Sequence, residues 1–334
     1  MAGADSVEKL EDVIVRSAEQ VSAQIRSAKE AISTVIFGQD RVIENTLVTI
    51  LSGGHALLIG VPGLAKTKLV ETLGITLGLD AKRIQFTPDL MPSDILGAEV
   101  LDESSSGKRS FRFIAGPVFA QLLMADEINR ASPRTQSALL QAMQEQHITV
   151  AGARHDLPKP FHVLATQNPL EQEGTYPLPE AQLDRFLMEI DVDYPDIEAE
   201  RRILFDTTGA EESRPRPAMT ADDLMSAQRL VRRLPVGESV VEAILALVRS
   251  ARPGPNAGDI GKLIAWGPSP RASQALMLAV RARALLEGRY APSVDDVIAL
   301  AEPVLKHRMA LTFAARADGE SIIGVVGRLK ARIG

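Results

Sequence analysis

The chain has 334 residues, with 37 Lys and Arg against 43 Asp and Glu, a net charge of −6, and 45% apolar side chains. That balance excludes a mainly disordered chain, supplies a substantial core and, at this length, suggests two domains. With no cysteine, disulfides, zinc–thiolate sites, Fe–S clusters and cysteine catalysis are excluded. No apolar run approaches the roughly 18 residues of a membrane span, and the start lacks a basic-then-apolar leader, so a cytoplasmic protein is expected. Residues 1–216 carry 21 basic and 32 acidic side chains, while residues 217–334 carry 16 and 11. Two differently charged solvated surfaces explain this as well as acidic-to-basic packing between copies does. Aromatics are 4% and are not interleaved with Lys or Arg, which disfavours stacking on nucleic acid.

Along the chain, Val7, Leu10, Val13, Ile14, Val21, Ile25 and Ile32 form a one-sided helical stripe. Short apolar runs then alternate with helical patterns. The spacing predicts strands at 55–60, 83–87, 118–125, 161–166 and 187–192, most of them buried on both faces, with helices between, as at 66–77 and 132–146. Two stretches alternate polar and apolar residues and read as inserted hairpins. One is 98–114, around Glu103-Ser-Ser-Ser-Gly-Lys108; the other is 147–157, around Ala151-Gly-Ala-Arg154. Beyond a Pro- and Gly-bearing linker the period is purely helical. Thr220 with Asp223 and Ser293 with Asp296 have capping-box spacing, Ser269-Pro270 reads as a helix start and Gly288 as a stop. The expected organisation is an N-terminal amphipathic helical segment (1–30), an α/β domain on a parallel sheet with two inserted hairpins (31–207), a linker (208–217) and an all-α lid domain (218–334).

Gly60-Val-Pro-Gly-Leu-Ala-Lys-Thr67 follows a predicted strand and opens a predicted helix. A triphosphate requires such a loop, with inward backbone N–H groups and a helix N-terminus. Lys66 would neutralise the β and γ phosphates, and the Thr67 hydroxyl would bind Mg²⁺. Ala65 stands where a second glycine is usual, which is tolerable if that residue is already helical. The bland alternative is a Gly-rich turn. Asp126-Glu127 closes another apolar run. Buried carboxylates are costly unless they serve a cation or a proton, so Asp126 is read as the Mg²⁺ carboxylate and Glu127 as the group that orients or deprotonates water. An acidic helix start is the alternative.

The loop together with Leu123-Met-Ala-Asp-Glu-Ile-Asn-Arg-Ala-Ser-Pro133 resembles the MoxR family of AAA+ ATPases. Ala165-Thr-Gln-Asn-Pro169, Tyr176-Pro-Leu-Pro-Glu-Ala-Gln-Leu-Asp-Arg-Phe186 and Gly267-Pro-Ser-Pro-Arg-Ala-Ser-Gln274 agree, and the match runs from about residue 35 to about 308. The resemblance implies a P-loop AAA+ core with a helical lid, and ATP held by Gly60, Pro62, Gly63, Leu64, Ala65, Lys66, Thr67 and Lys68. Phe37 and Gly38 would lie on the adenine side, where Ile36 and Phe37 are equally explained as core. It implies Mg²⁺ at Thr67 and Asp126, sensor 1 at Asn168 (or a capping Asn), an arginine finger at Arg185 (or an ion pair to Asp184 or Glu180) and sensor 2 at Arg271 (or a surface Arg). Gln85 or Thr87 would restrain Glu127. Phe111 and Phe113 on the first insert would face a client or a central pore or, more simply, pack that insert. The five histidines form no compact ligand set.

The function so implied is an Mg-ATP-hydrolysing motor, a hexameric ring of this chain, acting as a chaperone-like remodeller on protein complexes. Its client would be a protein, such as one bearing a von Willebrand factor A domain, and not a membrane or nucleic acid. A P-loop kinase or GTPase is the alternative enzyme, although Asn-Lys-x-Asp is absent. A nucleotide-gated scaffold with negligible turnover is the alternative outside catalysis.

Overall fold

A computed structural model of the chain describes residues 19–103, 109–171, 173–209, 213–254 and 258–334. Val7, Leu10, Val13 and Ile14 of the N-terminal stripe, and 104–108 of the first hairpin's turn, lie outside them. Helix α1 (19–33) leads into α2 (Asp40–Leu51), β1 (Ala56–Ile59), α3 (Lys66–Leu77) and β2 (Ala81–Gln85). The short α4 (Pro92–Leu96) precedes the hairpin β3 (Gly97–Glu103) and β4 (Arg109–Ala115). Strand β5 (Leu122–Asp126), α5 (Pro133–Glu145), the second hairpin β6 (His147–Val150) and β7 (Ala153–Asp156), and β8 (His162–Gln167) follow. Then come α6 (Glu180–Leu183), β9 (Met188–Asp191) and α7 (Ile197–Thr208). The helical lobe comprises α8 (Ala221–Val231), α9 (Glu238–Ser250), α10 (Gly258–Leu263), α11 (Pro270–Leu286), α12 (Val294–Leu305), α13 (Phe313–Ala317) and α14 (Ile322–Lys330), with a small ribbon of β10 (Ile264–Trp266) and β11 (Ala310–Leu311).

Five strands form one parallel sheet in the order β2-β5-β8-β1-β9. In the central strands alternate residues enter two separate cores. Ala56, Leu58, Leu122, Met124 and Leu164 face the core shared with α1, α2, α3 and the helical lobe, whereas Leu57, Leu123, Ala125, Val163 and Ala165 face the core of α5 and the hairpins. This two-sided burial accounts for their unbroken apolar runs. Because the strands are parallel, the C-terminal ends of β1, β2, β5 and β8 lie along one edge, where α/β folds bind ligands.

Two strand expectations change. The run at 118–125 becomes a strand only from Leu122, because turns tie Phe119 N to Gly116 O and Ala120 N to Val118 O. Strand β2 starts at Ala81 and is the exposed sheet edge, so it is polar rather than two-sided apolar.

The caps form as the sequence suggests. Thr220 with Asp223 and Ser293 with Asp296 make capping boxes, Ser269 Oγ accepts from Arg271 N at 3.1 Å, and Gly288 ends α11 with φ +79°. The helical lobe packs directly onto the sheet side. Buried Arg308 (2% exposed) donates to Asp184 Oδ1 at 2.7 Å and to the Phe186 carbonyl at 2.6 Å, and Arg283 ties Glu44 to fully buried Asp296.

Candidate functional site

The loop between β1 and α3 carries the first part of the site. Gly60 lies so close to β9 that a Cβ would meet the Val192 carbonyl at 2.6 Å, so glycine is required there for packing. Gly63 turns with φ +86°. Ala65 is not helical, so the condition on which the sequence made it tolerable is not met. It is the N-cap of α3 with φ 55° and ψ 20°, in the left-handed region that costs a Cβ-bearing residue about 1–2 kcal/mol. Lys66 Nζ folds back onto the carbonyls of Gly60 and Val61 at 2.6 and 2.8 Å. Burial lowers its pKa, while Asp126 and Glu127 act in the opposite direction.

Beside this loop opens a cavity of about 450 Å³, lined by Pro62–Lys68, Arg83, Gln85, Asp126, Glu127, Thr166 and Asn168. Asp126, the last residue of β5, is buried; Thr166 Oγ1 donates to its Oδ1 at 2.5 Å, and Arg83 reaches Oδ2. Glu127 has φ 54° and ψ 51°, a left-handed conformation for a non-glycine residue, and its N–H donates to Thr166 Oγ1 at 2.9 Å. Its Oε2 accepts from Gln85 Nε2 at 2.7 Å and from Arg130 Nη1 at 3.0 Å. With Ala65, Glu127 makes two left-handed non-glycine positions in the lining of one cavity, and such strain clusters at functional sites. Asn168 is buried, lines the cavity, and also caps its own turn by accepting from Leu170 N at 3.1 Å.

A second, more apolar cavity of about 320 Å³ shares Gly63, Leu64, Ala65 and Lys68 with the first and adds Val35, Ile36, Phe37, Gln39, Pro195, Ile203, Asp206 and Thr207. Phe37 is stacked under Arg202, whose guanidinium carbon lies 4.3 Å from the ring centre. Gly38 is not part of this lining. With φ +68° it abuts Pro195 and Ala199, where a Cβ would sit 2.5 Å from that of Ala199, and it lines a separate cavity between the lobes.

Arg185 and Arg271 line neither cavity. Among the described residues Arg185 makes no ion pair, and its buried Nε has no hydrogen-bond partner. The carboxylate of Asp184 is instead engaged by Arg308, by Ser269 Oγ at 3.2 Å and by Arg271 Nη1 at 3.8 Å. Arg271, at the start of α11, thus stands beside the Arg185 segment. The buried histidines have structural partners: His55 and Met143 O, His162 and Gly54 O, His307 and Phe186 O.

The oxygen donors of Thr67 and Asp126 suit a hard cation such as Mg²⁺, which takes one or two carboxylates and completes its shell with phosphate and water. Among the described residues no group of three or more His, Cys, Asp or Glu could hold a metal alone. Two residues that tie these parts together escape the sequence reading. Arg83 pairs with Asp126, and its one signal is the polar alternation Arg83, Gln85 on a strand. Arg308 anchors the Asp184–Arg185 turn from the other lobe, and no local pattern marks it.

Residues 55–188 match the family model described as ATPase family associated with various cellular activities (AAA), and 257–324 match the AAA lid domain. The chain is 42% identical over 317 residues to Chaperone MoxR1 of Mycobacterium tuberculosis, covering 93% of this chain and 83% of that protein. It is 32% identical over 319 residues to Protein MoxR of Paracoccus denitrificans, covering 90% and 93%. A crystal structure from Cytophaga hutchinsonii, described provisionally as an ATPase, superposes with a TM-score of 0.88 at 35% identity over 98% of each chain. No helix among the described residues is long and apolar enough to cross a membrane.

Proposed function

This chain belongs to the MoxR family of AAA+ ATPases, and we propose that it hydrolyses Mg-ATP at a site completed by a second copy of itself. The observation that carries the reading is the division of polar and charged groups. Lys66, Asp126, Glu127 and Asn168 surround one cavity, whereas Arg185 and Arg271 stand together outside it.

In this reading the base and ribose take the cavity beside Phe37, and the phosphates take the loop. Lys66 leaves the Gly60 and Val61 carbonyls for the phosphates. Thr67 and Asp126 hold Mg²⁺, which neutralises phosphate charge when bound. Glu127 accepts a proton from the attacking water or orients it, and Asn168 positions that water or the γ-phosphate. Gln85, already hydrogen-bonded to Glu127, restrains it between turnovers. Arg185 reaches the neighbour's γ-phosphate with Arg271 at its side, so both act in trans. Such a finger supplies about 10³–10⁵ in rate. Of the other arginines at the site, Arg130 is engaged by Glu127 of its own chain.

Trans action needs a head-to-tail neighbour, and repeating that contact gives a ring where the rotation closes; we take it as a hexamer. The name chaperone on a relative, and the family resemblance, support a protein client remodelled during complex assembly, such as one carrying a von Willebrand factor A domain. The test uses the purified chain. Lys66→Ala should weaken ATP binding about a hundredfold, roughly 2.7 kcal/mol, measured by calorimetric titration. Unchanged binding would remove the loop assignment, and wild-type turnover no greater than that of Glu127→Gln would leave a scaffold rather than a motor.

A further inference from the structure

Edge strands commonly carry charges that keep the sheet soluble, but two side chains of β2 turn inward to the carboxylates at the end of β5. Residues 83 and 85 share a face of the strand, and the register sets Gln85 beside Asp126. Arg83 Nε and Nη2 reach Asp126 Oδ2 at 3.2 and 2.5 Å. The same Nη2 donates to Gln85 Oε1 at 2.9 Å, and Gln85 Nε2 donates to Glu127 Oε2 at 2.7 Å. A guanidinium only donates and a carboxylate only accepts, so the amide is held from both ends in one orientation. One guanidinium therefore governs both carboxylates, directly at Asp126 and through Gln85 at Glu127.

We propose that Arg83 is a positioning residue that holds Asp126 as its counter-ion in the metal-free protein, so that metal loading and the release of Glu127 are one event. The proposal rests on Asp126 being the metal carboxylate. Oδ1 of Asp126 is taken by Thr166 and Oδ2 by Arg83. For Asp126 to serve a cation, the guanidinium must give up Oδ2. The Arg83 side chain is 50% exposed and that of Asp126 12%, so the arginine can withdraw to water while the carboxylate stays in place. Once withdrawn, it no longer anchors the Gln85 carbonyl oxygen, and the amide is free to turn away from Glu127.

The test is the binding of a fluorescent non-hydrolysable ATP analogue to the full chain, titrated against free Mg²⁺ and compared with EDTA. Arg83→Met should lower the Mg²⁺ concentration for half-maximal tightening about tenfold, the size of one charge-assisted hydrogen-bonded pair. Arg83→Lys, which keeps charge but loses the fork, should fall between. Gln85→Ala, which loosens Arg83 by one hydrogen bond but does not touch Asp126, should lower the Mg²⁺ requirement by clearly less than Arg83→Met. Position 83 is on an exposed strand, and an unchanged thermal midpoint verifies folding. An unchanged or raised requirement in Arg83→Met overturns the role of Arg83, and the metal assignment still stands if Asp126→Asn raises the requirement. No response in Asp126→Asn overturns both. An equal shift in Gln85→Ala would show a general effect of the edge strand and also overturn the proposal.

Discussion

Ala65 and Glu127 both hold a left-handed backbone that their side chains disfavour, and both face the same cavity. The sequence identifies these positions as functional without showing their conformation. Alanine fits a helix start in composition, but here it must complete the tight loop before the first helical residue. The histidines, by contrast, are readable as structural, and the structure gives them a consequence. Val163 N–H donates to His55 Nδ1, so the neutral ring donates from Nε2 to Met143 O. His162 lies between Gly54 O and the Gln228 amide. Burial pushes His55 down to about 3, with nearby His162 adding to the shift, and pushes His162 down to about 4. Unfolding returns each ring to its ordinary value of 6.5. Below that value the unfolded chain binds more protons, so stability should fall as pH drops from 6.5 toward 4. Each ring contributes at most about 1.4 kcal/mol per pH unit. Urea unfolding at several pH values measures the slope, and the double variant His55→Asn, His162→Gln should flatten it. An unchanged slope would mean that the rings are protonated in the fold.

At the scale of elements, the sequence shows the hairpins more clearly than the edge strand. Alternation on either side of a polar turn identifies the two inserts, whereas β2 offers only Ala-Lys-Arg-Ile-Gln and begins two residues before the expected strand. The first insert also divides a pair that the sequence treats alike. Phe113 stacks on His155 of the second hairpin at 3.9 Å between ring centres and meets Phe119 edge-on at 5.6 Å. Phe111, two residues nearer the tip and opposite Leu101, is 71% exposed because nothing among the described residues packs above it. Alternation gives the shared face but not how far along it the neighbouring hairpin reaches. Phe113→Ala should cost about 2 kcal/mol, and Phe111→Ala should stay within about 0.5 kcal/mol of wild type. Denaturant midpoints at equal slope decide this, and equal costs would contradict the division.

For the whole molecule, the α/β core and helical lobe are legible because alternating apolar runs and capping signals are local. How the lobes meet is not, since it depends on contacts such as Arg308 with Asp184 across 124 positions of chain. That contact fixes the turn carrying Arg185 and brings Arg271 beside it, turning two separate motifs into one surface. The acidic first part and basic last part of the chain are compatible with such surfaces meeting head to tail between copies. The most direct measurement mixes two inactive variants, Arg185→Ala, with an intact pocket but no finger, and Glu127→Gln, with a finger but no base. If each protomer completes its neighbour's site, mixed assemblies should recover ATP turnover that neither variant has alone, peaking near equal proportions. If Arg185 serves only its own chain, every mixture will be as inactive as its components, and the shared-site account is wrong.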